Sequence, residues 1–289
     1  MAHFARVMME KSVAQYCTFM HDYAPYCLFM SNSSSLFPEE RQQLILERLS
    51  QGGRIVALDL ARELGTSEDT IRRDLRELAK AGLCQRIYGG ALSLSPTVGT
   101  FAERQELVPE RKAALGQTAV TLVKPGQFIF LDAGTTNLEI ARALPANANI
   151  KVATNAPAIA LAATVKLGAD VLLIGGTMDA HTSAALGARA IRDVQTLSVD
   201  LCFLGVCAVS IEGGLRGFNF EEVELKRVLV EQSNVVAATV TPDKLETTAP
   251  FQIATFDDVD YLVVENDVDP ELIKTLKSMG LSVHQNVAN

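Results

Sequence analysis

The chain has 289 residues, a formal net charge of −8 at pH 7, and 48% apolar residues. This length exceeds that of a typical single domain, so we expect two domains, and the negative charge excludes a generally basic nucleic-acid coat. Five cysteines without paired spacing indicate reduced thiols and a cytoplasmic location. Because there is no CxxC or HExxH pattern, the sequence predicts no metal site, and no cofactor is expected.

Residues 1–36 differ from the rest of the chain, being rich in Met, Tyr, Phe and Cys without a steady period. His21 and Asp22 interrupt the apolar run, so a signal peptide fits poorly. We expect an atypical, disordered extension, with Met30 as an alternative start. No later segment approaches the length of a membrane span, so we expect no membrane association.

Three predicted helices follow. Pro38 begins the first, which carries apolar residues from Leu44 to Leu49, and residues 57–64 form the second. The third covers residues 66–82, and its first residue, Thr66, followed by Asp69, resembles a capping box. Its apolar residues recur at helical spacing: Ile71, Leu75 and Leu78. Two helices joined by a glycine turn predict a helix-turn-helix.

Residues 83–94 alternate and contain Gly89-Gly90, which predicts a β-hairpin, the wing of a winged helix-turn-helix. We expect the hydroxyls and arginines of the third helix to contact DNA bases and phosphates, and the wing to contact the backbone. The predicted contacts are Ser67, Thr70, Arg72, Arg73, Arg76, Arg86 and Tyr88. The alternatives are a solvated helix, whose four cations are balanced by Glu68, Asp69, Asp74 and Glu77, and a helix-turn-helix used only for protein contacts.

The charge is unevenly distributed. Residues 36–92 hold nine Lys/Arg and nine Asp/Glu, whereas residues 93–289 hold fifteen and twenty-three. A neutral DNA-binding module must depend on locally placed arginines and on several copies acting together. We therefore expect a homo-oligomer, a dimer or a tetramer.

Beyond the DNA-binding domain, assigned to residues 37–94, we expect a linker and connecting helix over residues 95–124, helical at 103–123. Buried apolar runs then alternate with helical segments, which predicts an α/β domain with a mainly parallel sheet over residues 125–289. The apolar runs cover residues 128–131, 150–153, 171–174, 201–206, 235–240, 261–264 and 281–284. The fold class is thus α/β, with a winged helix-turn-helix before an α/β effector domain.

Ligands of such sheets bind beyond the carboxyl ends of the strands. Polar or glycine-containing loops follow four of the predicted strands, and a helix supplies an acid–base pair. The candidate effector-binding residues are Asp132, Gly134, Thr135, Thr136, Asn137, Thr154, Asn155, Gly175, Gly176, Glu222, Lys226 and Lys244. The loop from Asp132 offers a glycine, hydroxyls and a helix N-terminus to a phosphate. The alternatives are plain turns, helix caps and, for Glu222 with Lys226, a surface ion pair.

The third helix with its wing resembles the signature of the DeoR family of bacterial transcriptional regulators. The matching residues are Arg41, Ile45, Leu49, Ser67-x-x-Thr70-Ile71-Arg72-Arg73-Asp74-Leu75 and Tyr88-Gly89-Gly90-Ala91. The loops resemble the family's effector domain, which is similar in fold to ribose-5-phosphate isomerase. The chain departs from the family's Asp-x-Ser-Lys segment, having Thr241-Pro242-Asp243-Lys244 there, which puts the role of the aspartate in doubt.

The resemblance implies a transcriptional regulator, a repressor of carbohydrate metabolism genes, which binds operator DNA and senses a phosphorylated sugar. The alternative is an enzyme, a sugar-phosphate isomerase with an appended N-terminal module, in which Asp132, Glu222 and Lys226 perform acid–base chemistry.

Overall fold

The computed structural model describes residues 36–52, 54–94, 99–146 and 148–286. The predictions of a disordered extension over residues 1–36 and of a linker at residues 95–98 therefore lie, apart from Leu36, outside the described residues. Among the described helices, none has the length and apolar character needed to cross a membrane.

The N-terminal domain contains the three predicted helices and the hairpin, together with a short strand that the sequence did not predict. Its elements are α1 (Pro38–Gly52), β1 (Arg54–Val56), α2 (Ala57–Glu63), α3 (Glu68–Lys80), β2 (Gln85–Ile87) and β3 (Gly90–Leu94). Strand β1 pairs antiparallel with β3, and a side chain at Gly90 would meet the carbonyl oxygen of Ile55 at 1.8 Å. Only glycine permits this close approach, which makes β1 and the hairpin one small sheet.

The N-cap of helix α3 lies one residue later than predicted. Ser67, not Thr66, is the N-cap, and its hydroxyl accepts a hydrogen bond from the Thr70 N–H at 3.1 Å. The Thr66 N–H donates instead to the carbonyl of Ala61 and so completes the end of α2. The predicted capping pattern of Thr66 and Asp69 is therefore wrong, because the tight turn directs the Thr66 N–H to the end of the preceding helix.

A buried ion pair joins the first and third helices. Asp74 is 2% exposed and binds the guanidinium of Arg41, which also donates to the carbonyl of Leu36 at 2.9 Å. Asp74 therefore does not belong among the solvated acids that balance the arginines of α3. Without Asp74, three acidic residues remain to balance the four cations on the surface of α3. This surface is therefore more basic than the count of charged residues in the sequence indicates.

The connection between the domains is not one helix over residues 103–123, as predicted. It consists of α4 (Phe101–Glu106), α5 (Pro109–Ala119) and a 3₁₀ turn (Val120–Leu122). The break lies at Val108, whose φ is +43°. Proline disfavours helical geometry in the residue before it, so Pro109 begins a new helix and prevents the first from continuing.

The C-terminal domain alternates strands and helices as predicted. Its larger elements are β4 (Phe128–Leu131), α6 (Thr135–Ala143), β5 (Lys151–Thr154), α7 (Pro157–Leu167), β6 (Val171–Leu173), β7 (Thr177–Met178), β8 (Ala185–Leu186), α8 (Ala188–Val194), β9 (Leu201–Leu204), β10 (Ala208–Ser210), β11 (Gly214–Gly217), α9 (Phe220–Glu231), β12 (Val236–Val240), β13 (Thr247–Thr248), β14 (Phe251–Ala254), β15 (Tyr261–Val264), α10 (Pro270–Ser278) and β16 (Ser282–Gln285). Seven strands form a parallel sheet in the order β16-β15-β12-β9-β4-β5-β6. The apolar runs coincide with these strands because the central strands β4, β9 and β12 are buried on both faces.

The short strands were not predicted. Strands β10, β11 and β14 form a separate antiparallel sheet, β7 pairs with β8, and β13 pairs in parallel with β3 of the wing. Unlike the strands of the parallel sheet, most of these segments are not continuous apolar runs, so no pattern in the sequence marks them as strands. The last of these pairings continues the sheet of the wing into the C-terminal domain.

Replacing Asp74 by alanine should leave the buried Arg41 guanidinium without its counter-ion. Breaking one partner of a buried pair costs about 3–5 kcal/mol, so the amides of α3 should exchange with deuterium far faster. Hydrogen exchange of the full-length protein measures this opening directly. Asp69→Ala, at an exposed position of the same helix, is the matched control, and equal protection in the two variants would contradict the assigned role of the pair.

Candidate effector pocket and DNA-reading surface

A small cavity of about 30 Å³ lies at the carboxyl edge of the parallel sheet, next to the ends of β4, β9 and β12. Of the predicted residues, Gly134, Thr135, Thr136, Asn137, Glu222, Lys226 and Lys244 line it. Arg104, Gly205, Val206, Cys207 and Thr239 also line it, together with Ala133. Small-molecule pockets usually enclose several hundred Å³, so admitting a sugar requires the walls to move.

The ammonium of Lys226 is fully engaged. It binds Asp132 Oδ2 at 2.5 Å, Glu222 Oε1 at 3.0 Å and the carbonyl of Gly205 at 2.6 Å. Burial alone would lower the pKa of Lys226, but the two carboxylates outweigh it and raise the pKa above its ordinary value. Because an ammonium has three N–H donors, none is left for a ligand in this arrangement.

The same contacts fix the surrounding loops. Asp132 follows β4, Gly205 follows β9, and Glu222 lies in the first turn of α9. The Gly205 N–H also donates to Asp132 Oδ2 at 2.8 Å, and a side chain at Gly205 would meet the carbonyl of Ala133 at 2.4 Å. Lys226 therefore holds three segments of the pocket wall together, and the prediction that it contacts the effector stays untested.

The start of α6 points at the cavity. Gly134 is its N-cap, and Thr135 and Thr136 are its first residues. The N–H groups of a helix's first turn have no acceptor within the helix and attract anions. Asn137 donates to the carbonyls of Asp132 and Phe203, at 2.8 and 2.9 Å, and so anchors the turn to β4 and β9.

Two further cations border the cavity. Lys244, in the 3₁₀ turn after β12, donates to the carbonyl of Val206 at 2.9 Å, and burial lowers the pKa of its ammonium. Arg104 reaches the cavity from α4, and its Nε is buried without a hydrogen-bond partner in the described part of the chain. No pattern in the sequence identified Arg104, because α4 reaches this site only through the tertiary structure.

Five predicted residues lie outside the lining. Asp132 is completely buried beneath it. Asn155 accepts from the Ala133 N–H at 3.0 Å, and Thr154 accepts from the Ala156 N–H at 3.1 Å, so both support loops from behind. Gly175 and Gly176 precede the β7–β8 hairpin and do not reach the cavity.

The predicted DNA-contact residues lie on α3 and the wing. The side chain of Arg73 is 76% exposed, Arg76 and Arg86 are exposed, and Tyr88 at the wing tip is 99% exposed. Arg72 binds Glu68 at 2.7 Å, an exposed pair that costs little to exchange for a phosphate. The hydroxyls of Ser67 and Thr70 lie 2.8 Å apart, so both already take part in capping the helix.

A winged helix-turn-helix joined to an α/β domain of this kind defines a two-domain transcriptional regulator. Residues 41–97 match the DeoR-like helix-turn-helix domain, and residues 108–266 match the DeoR C terminal sensor domain. The chain therefore belongs to the DeoR family of transcriptional regulators.

Named relatives agree with this assignment. The chain is 33% identical to the HTH-type transcriptional regulator GlpR of Haloferax volcanii over 88% of this chain and 100% of that protein. It is 29% identical to the glycerol-3-phosphate regulon repressor of Escherichia coli over 80% of this chain and 91% of the repressor. Among solved structures, ribose 5-phosphate isomerase A of Methanocaldococcus jannaschii is similar with 16% identity, a TM-score of 0.35, and coverage of 47% of this chain and 54% of that chain. The relatives are regulators, which supports the prediction that this protein is not an enzyme.

Replacing Lys226 by methionine should destabilise the C-terminal domain, because it leaves two buried carboxylates facing each other. We expect a loss of about 3–5 kcal/mol, seen as a fall of several degrees in the calorimetric unfolding midpoint. Lys166→Met, the same change at an exposed position of α7, should have almost no effect. Equal midpoints for the two variants would show that Lys226 does not hold the wall together.

Proposed function

We propose that this protein is a transcriptional repressor of carbohydrate-metabolism genes, whose hold on operator DNA is controlled by a phosphorylated sugar. The observation that carries the proposal is the convergence of the start of α6 with Lys244 and Arg104 on one cavity. These groups together suit a dianion, because N–H dipoles and two cations favour negative charge in a partly buried setting.

The phosphate is assigned to the side of the cavity formed by Thr135, Thr136, Arg104 and Lys244. The single positive charge of Lys226 is outweighed by its two carboxylates, so this cluster adds no net attraction for an anion. Arg104 Nε is without an acceptor within the described residues, and a phosphate oxygen would supply one.

The sugar is assigned to the part of the cavity lined by Glu222 and Thr239. Glu222 accepts hydrogen bonds as a carboxylate, and the hydroxyl of Thr239 lies 3.4 Å from Asn137 Oδ1. These are suitable partners for sugar hydroxyls. The name of the E. coli relative includes glycerol 3-phosphate, which supports a small phosphorylated polyol or sugar as the ligand class.

Operator binding is assigned to α3 and the wing of a homo-oligomer, a dimer or a tetramer. The N-terminal module has balanced charge, so one copy would bind DNA weakly. Two copies that bind the two halves of a symmetric operator add their DNA contacts. Effector binding changes the affinity for the operator only if the effector favours one arrangement of the two copies over another.

Contacts to bases and contacts to phosphates can be separated by mutation. Arg73→Ala should reduce affinity for the operator by about 1–3 kcal/mol while leaving affinity for unrelated DNA almost unchanged. Arg86→Ala should weaken binding to both DNAs and reduce the salt dependence by about one counter-ion. Fluorescence anisotropy at several salt concentrations measures both. A loss of operator preference on Arg86→Ala, and not on Arg73→Ala, would exchange the assigned roles.

The effector is identified by titrating phosphorylated sugars into the complex with DNA from upstream of the protein's own gene. The panel contains glycerol 3-phosphate, glucose 6-phosphate, fructose 1-phosphate and ribose 5-phosphate, each beside its unphosphorylated parent. We expect one phosphorylated compound to release the DNA and its parent to have no effect. Arg104→Ala should raise the concentration required by about 10–100-fold, because a charge-assisted hydrogen bond is lost.

Arg142→Ala is the matched control for Arg104→Ala, because Arg142 lies on α6 but outside the cavity. Release of DNA by a phosphorylated sugar with the same midpoint in wild type and Arg104→Ala would remove Arg104 from the site. Specific DNA binding that no member of the panel changes would leave the DNA-binding role and refute this choice of ligand class.

A further inference from the structure

One short segment connects the cavity to the wing. Residues 244–248, the latch segment, begin at Lys244, whose ammonium donates to the carbonyl of Val206 at the cavity wall. At the other end, Thr247 and Thr248 pair in parallel with Ser93 and Leu94 of β3. Lys244 therefore lies only three residues before the strand that pairs with the wing. A displacement of Lys244 can be transmitted over this short distance to the sheet of the DNA-binding domain.

Side chains reinforce this pairing. Arg54 of β1 binds Glu246 of the latch segment at 3.2 Å, and also binds Glu212 at 2.8 Å. The hydroxyl of Thr248 lies 2.9 Å from the side-chain carbonyl of Gln85 in β2. The latch segment thus contacts all three strands of the wing sheet. Because the arginine is about one-third exposed, its ion pairs are reversible rather than permanent.

The backbone between the two ends is strained. Glu246 has a φ of +51°, a left-handed conformation that residues other than glycine adopt only when their surroundings enforce it. The enforcing contacts lie on both sides: the hydroxyl of Thr247 donates to the carbonyl of Lys244 at 2.7 Å, and β13 is held by β3. Moving Lys244 removes one of these constraints and allows the backbone at Glu246 to relax.

There is also space for the domains to move. An open cleft of about 660 Å³ lies between them, bordered by Leu49 and Arg54 of the DNA-binding domain and by Asp243, Asp267 and Glu271 of the C-terminal domain. The charged residues on the C-terminal wall of this cleft are all acidic, whereas Arg54 on the opposite wall is a cation. Because the cleft is open, the domains are held together beside it, by the latch segment and by the ion pair of Arg54 with Glu212.

We propose that the latch segment is the element through which the cavity controls the DNA-binding domain. In the unliganded protein the latch is closed, with β13 on β3, and this arrangement binds the operator. A phosphate in the cavity draws the ammonium of Lys244 away from Val206, the strained backbone at Glu246 relaxes, and β13 leaves β3. This mechanism rests on the proposed function, since it assumes that the cavity takes a phosphorylated ligand.

The first experiment requires no effector. Glu246→Lys places a cation against Arg54 and should open the latch, whereas Glu231→Lys makes the same charge change at the exposed end of α9. Relative to Glu231→Lys, we expect Glu246→Lys to bind operator DNA at least fivefold more weakly. The amides of residues 90–94 should exchange with deuterium at least tenfold faster. Equal DNA affinity and equal exchange in the two variants would overturn the proposal, whatever the ligand of the cavity proves to be.

The second experiment locks the latch. Ser93 and Thr247 are paired neighbours, so their Cα atoms lie within the separation that a disulfide spans. The Ser93→Cys/Thr247→Cys protein is titrated with the four phosphorylated sugars of the panel, oxidised and reduced. The proteins that carry only Ser93→Cys or only Thr247→Cys are the controls. We expect the oxidised protein to keep its DNA at every concentration and the reduced protein to release it.

The two proposals fail differently. Release from the oxidised and the reduced protein at the same midpoint would overturn the latch and leave the phosphorylated effector in place. If no sugar releases even wild type, the effector proposal fails, and the comparison of Glu246→Lys with Glu231→Lys decides whether the latch holds the DNA-binding domain.

Discussion

The ammonium of Lys226 is the contact on which the C-terminal domain depends. It joins the loop after β4, the loop after β9 and the first turn of α9, using all three of its donors. A buried charge stabilises a fold only when its partners are close and complete, and removing any of them leaves an uncompensated charge. This one group therefore positions Asp132 and Glu222, and with them the turn that begins α6. The shape of the cavity therefore depends on the ion cluster of Lys226, Asp132 and Glu222, which is complete without a ligand.

That cluster leaves the attraction of an anion to Arg104 and Lys244, which lie on segments leading to the DNA-binding domain. Arg104 belongs to α4, the helix after the wing, and Lys244 lies three residues before β13. A ligand that binds Lys244 would act on a segment that also pairs with the DNA-binding domain, through β13 and β3. Under the proposed function, a ligand would have different affinities for the two arrangements of these elements, which is the physical requirement for control of DNA binding.

The DNA-binding domain follows the same logic on a smaller scale. Asp74 is buried with Arg41, so the pair fixes the angle between α1 and α3 and takes no part in balancing the exposed arginines. Arg73 and Tyr88 extend into solvent without contributing to the core. The ion pair thus supports the helix from which Arg73 extends.

The order of helices and parallel strands was determined by the sequence alone, because hydrophobic periodicity and proline positions are local signals. The same local chemistry identified the turn at Gly134 and the arginines of α3. The tertiary structure decided which residues from distant parts of the chain lie in contact. It brought Arg104 to the cavity, bound Lys226 to Asp132 as well as to Glu222, and placed Gly175 and Gly176 outside the cavity lining. It also paired the two residues of β13 with the wing. These features join residues separated by tens to more than a hundred positions, and a pattern within one window of sequence carries no information about them.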